Sequence, residues 1–165
     1  MQCKDWTALA GFIILSEGAG VIGSVFTAPA IPGWYAALAR PALAPPNWVF
    51  GPVWTALFLL MGVAAFLVWK QHSDILKNVR VLRMWRVGMS LFIAQLVLNV
   101  LWSFIFFGLH SPGAAFAYIF LLWLAIVATI AAFAKVSRPA AWLLVPYIVW
   151  VTFATYLNYM IWVLN

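Results

Sequence analysis

Charged residues are scarce in this chain of 165 residues. Only 7% of the residues are Asp, Glu, Lys or Arg, against about a quarter in soluble globular proteins, whereas 67% are hydrophobic. So low a charged fraction excludes a soluble globular domain. The three acidic residues, Asp5, Glu17 and Asp74, are too scattered along the chain to form a paired acid–base site.

Cysteine and histidine are almost absent, which removes most metal and nucleophile chemistry. Cys3 is the single cysteine, so it can form neither an internal disulfide nor a cysteine-based metal site. The two histidines, His72 and His110, flank different hydrophobic runs and are expected at opposite membrane faces, so they cannot jointly ligate one haem iron. Phosphate-binding loops, dinucleotide motifs and the zinc-protease motif are missing too. We expect no metal site and no required cofactor.

Five long apolar runs fill most of the chain. Each exceeds the roughly 20 residues that are needed to cross a hydrocarbon core. The sequence therefore predicts an all-α membrane protein, a bundle of five transmembrane helices that forms one domain over residues 1–165. Pro146 lies inside the fifth run and is expected to kink it. The predicted spans cover residues 7–28, 48–69, 87–109, 113–134 and 140–164.

Basic residues are confined to a few short segments. If the five spans alternate in direction, every basic residue except Arg40 falls on one side of the membrane, and the positive-inside rule places the N-terminus in the cytoplasm. A bacterial cell membrane is the expected location, with the mitochondrial outer membrane as the location for a eukaryotic chain. Anionic lipid explains these segments more simply than nucleic acid, so we expect no nucleic-acid partner. The clustered residues are Lys4, Lys70, Lys77, Arg80, Arg83, Arg86, Lys135 and Arg138.

The segment 29–47, between the first two spans, is rich in proline and aromatic residues. It carries five of the nine prolines, together with Trp34 and Tyr35. Proline fixes the backbone angle φ, and aromatic rings offer large flat apolar faces, so we predict a stiff loop that caps a ligand on the non-cytoplasmic side. Arg40 would pair there with a ligand carboxylate, or instead with a lipid headgroup.

Glu17 stands in the middle of the first span, beside Ser16, Gly20 and Ser24. Small residues at this spacing let helices pack closely in lipid. A charged carboxylate at that depth costs roughly 2.5 kcal/mol or more, so Glu17 should be protonated, hydrogen-bonded or facing a cavity. A functional role and a tilted helix beside a polar pocket are both open interpretations.

Aromatic and amide side chains share one face on each of three spans. Such stripes are typical of plain helix packing, and amides also join helices by hydrogen bonds. Three stripes beneath an aromatic loop instead favour an apolar ligand pocket with a few placed polar groups. The stripes comprise Phe50, Trp54 and Phe58, then Gln95, Asn99, Trp102 and Phe106, and finally Tyr147, Trp150, Ala154 and Asn158.

The chain resembles the TspO/MBR family, whose members are also called translocator proteins, tryptophan-rich sensory proteins or peripheral benzodiazepine receptors. The resemblance covers nearly the whole chain and is most specific in the first loop and the fifth span. It rests on Trp34-Tyr35, Arg40-Pro41, Pro45-Pro46, Trp48, Phe50, Pro52, Trp54, Gln95-Leu96, Asn99, Trp102, Phe106-Phe107-Gly108, Ala141-Trp142-Leu143-Leu144, Pro146-Tyr147, Trp150, Phe153-Ala154-Thr155 and Leu157-Asn158-Tyr159.

This resemblance implies a five-helix bundle, a homodimer and a receptor for flat hydrophobic ligands. The implied ligands are porphyrins such as protoporphyrin IX and haem, benzodiazepine-type drugs and, in animal members, cholesterol. It implies that Trp54 and Trp150, as catalytic candidates, take part in light-dependent porphyrin breakdown. The implied pocket residues are Tyr35, Pro45, Phe50, Trp54, Phe58, Asn99, Trp102, Phe106, Trp150, Ala154 and Leu157, to which the stripes add Gln95, Tyr147 and Asn158.

Alternative functions are transport of tetrapyrroles or lipids across the membrane, and the porphyrin-degrading activity itself. No internal repeat is evident, so the inverted-repeat plan of many secondary transporters is not supported. Membrane lipid is an expected partner. The sterol-recognition pattern needs a basic residue shortly after a tyrosine, and no basic residue follows Arg138, so sterol binding through that pattern is not supported.

Overall fold

Five helical segments of membrane-spanning length and composition dominate the computed structural model, which describes residues 3–72 and 78–165. The predicted all-α bundle of five transmembrane helices is confirmed. Asp74 and Lys77, named above among the charged residues, lie outside the described residues. The five segments are Cys3–Tyr35, Asn47–Lys70, Val79–Gly108, Pro112–Ala134 and Arg138–Leu164.

Helix α1 (Cys3–Ala30) is longer than the sequence predicted. It continues without interruption into a π-helical turn, Ile31–Tyr35, which we call the first wide turn. The predicted loop therefore does not begin at Pro29, which lies inside the helix. A proline removes one backbone hydrogen bond from a helix, and a wider turn accommodates such local disruption. Trp34 and Tyr35 are consequently held on a helical end rather than on a loop.

The next three helices follow the predicted order. A short 3₁₀ turn, Asn47–Val49, leads into α2 (Phe50–Lys70), where Pro52 sits in the tolerant first turn. Helix α3 (Val79–Ser103) starts at Asn78, whose side chain accepts a hydrogen bond from the Val81 amide at 3.2 Å. It ends in a second wide turn, Phe104–Gly108, before α4 (Pro112–Ala134).

The fifth span consists of two helices, α5 (Arg138–Leu143) and α6 (Val145–Leu164), divided at Leu144. The predicted kink thus appears as a break two residues before Pro146. This placement is favourable because Pro146 falls in the first turn of α6. The backbone N–H groups of a first turn have no acceptor within the helix, so a residue without an N–H costs no hydrogen bond there.

Contacts between helix ends fix the topology of the bundle. Asp5 pairs with Lys70 at 3.8 Å, which joins the start of α1 to the end of α2. The Trp85 indole donates to the Val68 carbonyl at 2.9 Å, so α3 starts at the same end. At the opposite end, the Asn165 side chain bonds the backbone of Ala39. Successive spans therefore run in alternating directions, as a multi-pass membrane bundle requires.

Helix α2 crosses α1 at close range at Gly62. A Cβ atom at Gly62 would lie 2.8 Å from the Ile13 Cα and 2.9 Å from the Phe12 carbonyl oxygen. Both are backbone atoms, which cannot rotate away. The α1–α2 contact therefore requires glycine at this position, a common device for close packing in lipid.

We predict that Gly62→Ala destabilises the fold by about 1–3 kcal/mol, because the added methyl group forces the two helices apart. Denaturation of the purified protein in detergent measures the change. Gly11→Ala is the matched control, since a Cβ at the exposed Gly11 of α1 would meet nothing within 4 Å. Equal losses of stability in the two variants would contradict the prediction.

Candidate functional site

A cavity of about 530 Å³ lies among the second half of α1, the first half of α2, the end of α3 and the middle of α6. Within the described residues, α4 and α5 contribute nothing to its wall. Its lining consists of Glu17, Gly20, Val21, Gly23, Ser24, Thr27, Ala28, Ile31, Tyr35, Asn47, Trp48, Phe50, Gly51, Trp54, Thr55, Phe58, Asn99, Trp102, Ser103, Phe107, Trp150 and Ala154.

Eight residues that the sequence singled out line this cavity together. They come from all four of the contributing helical segments, so the three stripes and the end of α1 do converge on one space. These residues are Tyr35, Phe50, Trp54, Phe58, Asn99, Trp102, Trp150 and Ala154. Contact with a ligand stays a prediction for each of them.

One side of the cavity is aromatic. The ring centroid of Trp54 lies 5.5 Å from that of Phe58, and the Trp150 ring meets Phe50 edge-on at 6.0 Å. The indole N–H of Trp150 is buried and has no hydrogen-bond partner among the described residues. Leaving a buried donor unpaired costs about 1–3 kcal/mol. This nitrogen has almost no accessible surface, so Trp150 contributes its ring and not its N–H to the cavity wall.

The facing side is built mainly from small residues of α1, which were not predicted as site residues. Gly20 makes room for the Phe58 ring, because a Cβ atom there would lie 2.6 Å from Cε2 of that ring and would displace it. The hydroxyls of Ser24 and Thr27 donate hydrogen bonds to carbonyls of their own helix, so these donors are not directed into the cavity. The small-residue stripe and Glu17 were the available indications, and they fitted helix packing equally well.

Two hydrogen-bonded pairs hold the deep wall of the cavity. Asn99 donates through Nδ2 to the Tyr147 hydroxyl at 3.0 Å, and both side chains are buried. Trp102 donates from its indole to Asn158 Oδ1 at 3.2 Å, while Asn158 Nδ2 donates to the Pro112 carbonyl at 2.7 Å. Tyr147 and Asn158 therefore stand behind the wall and position Asn99 and Trp102.

The other predicted site residues that do not line the cavity are Pro45, Gln95, Phe106 and Leu157. Gln95 is buried in the core, where its Nε2 lies 3.5 Å from the Met61 sulfur. Phe107, rather than the predicted Phe106, lines the cavity. Phe106 is instead buried, where its ring stacks on Trp102 with centroids 5.2 Å apart and meets the Trp34 ring edge-on at 5.6 Å.

The predicted cap of residues 29–47 reaches the cavity only through Ile31, Tyr35 and Asn47. Trp34 points elsewhere, because its ring stacks on His110 with centroids 4.4 Å apart and planes inclined by 16°. Residues 36–46 do not belong to the lining, and the capping of a ligand by this loop stays a prediction. Arg40 donates to Oδ1 of the lining residue Asn47 at 2.9 Å.

A clasp formed by Asn165 holds the first loop to the end of α6. Its Oδ1 accepts from the Ala39 amide at 3.0 Å, and its Nδ2 donates to the Ala39 carbonyl at 3.1 Å. The same Nδ2 also donates to the Ile161 carbonyl at 2.8 Å, which orients the side chain. One amide thus satisfies both backbone groups of a loop residue.

Comparison with known proteins places this architecture among similar chains. The sequence profile of the TspO/MBR family matches residues 12–163. The tryptophan-rich protein TspO of Chlorobaculum tepidum is 45% identical over 98% of this chain and 98% of its own length. The translocator protein of Homo sapiens is 38% identical, covering 98% and 92%. The tryptophan-rich sensory protein of Cereibacter sphaeroides is 33% identical, covering 94% and 89%.

We predict that Asn165→Ala frees the first loop. Losing two backbone hydrogen bonds should accelerate amide hydrogen exchange in residues 36–46 roughly tenfold. Mass spectrometry of deuterated peptides measures the rate. Asn78→Ala is the matched control, because Asn78 caps α3 at the opposite end of the bundle and should leave exchange in this loop unchanged. An unchanged rate in Asn165→Ala would show that the clasp does not restrain the loop.

Proposed function

Because this chain belongs to the TspO/MBR family of membrane proteins, we propose that its cavity is a receptor site for a flat hydrophobic tetrapyrrole, such as protoporphyrin IX or haem. The observation that carries the proposal is the aromatic wall of Trp54, Phe58, Phe50 and Trp150 facing small residues of α1. Benzodiazepine-type drugs, which are also flat and apolar, would use the same space.

The size and chemistry of the cavity support such a ligand. Small-molecule sites usually enclose about 300–1,000 Å³ and combine apolar walls with a few polar groups, and this cavity has about 530 Å³. A flat ring system gains most when it stacks against indole faces. The side chains of Asn99 and Glu17 are polar groups of the lining that are available to ring nitrogens or substituents.

Arg40 gives the proposed site a preference for carboxylates. It uses one of its five N–H donors on Asn47, and its guanidinium carbon lies 5.6 Å from the centroid of the Tyr35 ring. Both of these partners line the cavity, so the exposed guanidinium is held beside its wall. A propionate that extends from a bound porphyrin would meet the free donors there.

We predict that Trp54→Ala combined with Trp150→Ala weakens protoporphyrin IX binding at least about tenfold, since two stacking faces are lost. Saturable quenching of tryptophan fluorescence, corrected for the missing indoles, gives the dissociation constant. Trp6→Ala is the matched control, because Trp6 is 60% exposed near the start of α1. Unchanged affinity in the double variant would remove the proposed site.

We predict that Arg40→Gln weakens protoporphyrin IX binding about tenfold, because hydrogen bonds between charged partners are lost. The dimethyl ester of the same porphyrin carries no carboxylate and should bind wild type and variant alike. Equilibrium titration of both ligands against both proteins forms a complete cycle. If the variant lost affinity equally for acid and ester, Arg40 would be acting on loop structure and not on a propionate.

A second candidate function is light-dependent breakdown of the bound porphyrin. It is favoured by the position of two electron-rich indoles, Trp54 and Trp150, on the same cavity wall. The double variant described above provides the readout, since illumination in air should bleach porphyrin only when both the protein and these indoles are present. Free tryptophan that bleached as fast would leave binding alone as the function.

We also propose a homodimer in a bacterial cell membrane, with the basic end of the bundle in the cytoplasm. The orientation rests on the charge asymmetry of the chain. We predict that the exposed Cys3 resists an impermeant maleimide in intact cells and reacts after lysis. The control combines Cys3→Ser with Ser111→Cys, in the turn at the opposite end, and should react in intact cells. The reverse labelling pattern would invert the orientation.

A further inference from the structure

A second groove lies at the basic end of the bundle, between the end of α4, all of α5 and the start of α6. Its volume is about 320 Å³, and it shares no lining residue with the large cavity. The break at Leu144 separates the two helices that border it. The lining residues are Ile130, Ala134, Arg138, Ala141, Trp142 and Val145.

The groove carries positive charge that no described residue neutralises. Arg138 is exposed and forms no hydrogen bond or ion pair with any residue that the structure describes. Lys135, three residues earlier, is exposed as well. The acidic residues of the described ranges, Asp5 and Glu17, both belong to α1, which packs mainly on α2 and α3. This end of α5 is therefore complementary to an anion.

The remainder of the groove is apolar. Ile130, Ala141 and Val145 form its base, and Trp142 stands at its edge with 70% of its surface exposed. Trp142 follows Arg138 by four residues on a helix, so the indole and the guanidinium lie on one face. A flat amphipathic ring beside a cation is typical of the boundary between headgroups and acyl chains.

We propose that this groove binds one anionic glycerophospholipid, with its phosphate on Arg138 and the start of an acyl chain along Ile130 and Val145. A free phosphate ion would use the guanidinium alone and make no contact with the apolar base. A zwitterionic lipid would bring a cation to a site that has no described acidic partner for it. The site is independent of the tetrapyrrole proposal, because the two cavities have no wall in common.

Native mass spectrometry of delipidated protein tests the site, with phosphatidylglycerol and phosphatidylcholine of identical acyl chains as probes. Wild type should retain one phosphatidylglycerol with at least about tenfold preference over phosphatidylcholine. Arg138→Gln should lose this preference, and Arg138→Lys should keep part of it. Trp142→Ala should weaken retention of both lipids. Lys135→Gln is the matched control and should behave as wild type, since Lys135 does not line the groove.

Several outcomes would overturn the proposal. Equal retention of the two lipids by wild type would remove the anionic specificity. Equal loss in Lys135→Gln and Arg138→Gln would replace the site by diffuse attraction to the basic surface. Displacement of the lipid by millimolar inorganic phosphate would reduce the site to a phosphate contact. Melting temperatures in lipid-free detergent, expected to be the same for all variants, show that each comparison concerns folded protein.

Discussion

The packing of this bundle depends on the hydrogen bonds of one side-chain amide, that of Asn158. It accepts from the Trp102 indole of α3 and donates to the Pro112 carbonyl at the start of α4. Helix α6 is thereby bound to both α3 and α4. No water competes for these groups inside a bilayer, which makes a satisfied amide a reliable link between helices. With α3, α4 and α6 fixed, α1 and α2 are left to close the remaining side, and the large cavity lies where they do so.

The cavity exists because large and small side chains face one another across it. Trp54, Phe58 and Trp150 project from α2 and α6. On the opposite side, α1 places Gly20 and its small neighbours. Larger side chains at Gly20, Gly23 and Ser24 would project into this space and fill part of it. Packing of this kind is dense elsewhere in the bundle, where residues such as Phe92 and Phe133 are fully buried. The empty volume is thus a product of side-chain size and not of loose assembly.

The sequence predicted what depends on composition and helical period, and it missed what depends on turn geometry. Length and hydropathy were sufficient for five spans, and the spacing of Trp54, Asn99 and Trp150 was sufficient to bring three helices to one space. The continuation of α1 to Tyr35 was not predictable, because proline ordinarily signals the end of a helix. Phe107, which lines the cavity where Phe106 was predicted, lies in a π-helical turn, and a periodicity of 3.6 residues does not reveal such a turn. The sequence does not distinguish Gly20 from Gly62, although Gly20 lies against a side-chain ring and Gly62 lies against the backbone of α1.

The second wide turn has a consequence for how such a site can change over generations. A π turn is in effect an α-helix with one residue added, and the addition rotates everything after it. Removing a single residue within Phe104–Gly108 would return the helix to its ordinary period and rotate the side chains that follow, so a residue other than Phe107 would come to the wall. Ligand preference at this end of the cavity is therefore open to change by insertion and deletion as well as by substitution. A family that keeps its helices could diversify its binding site through chain length alone.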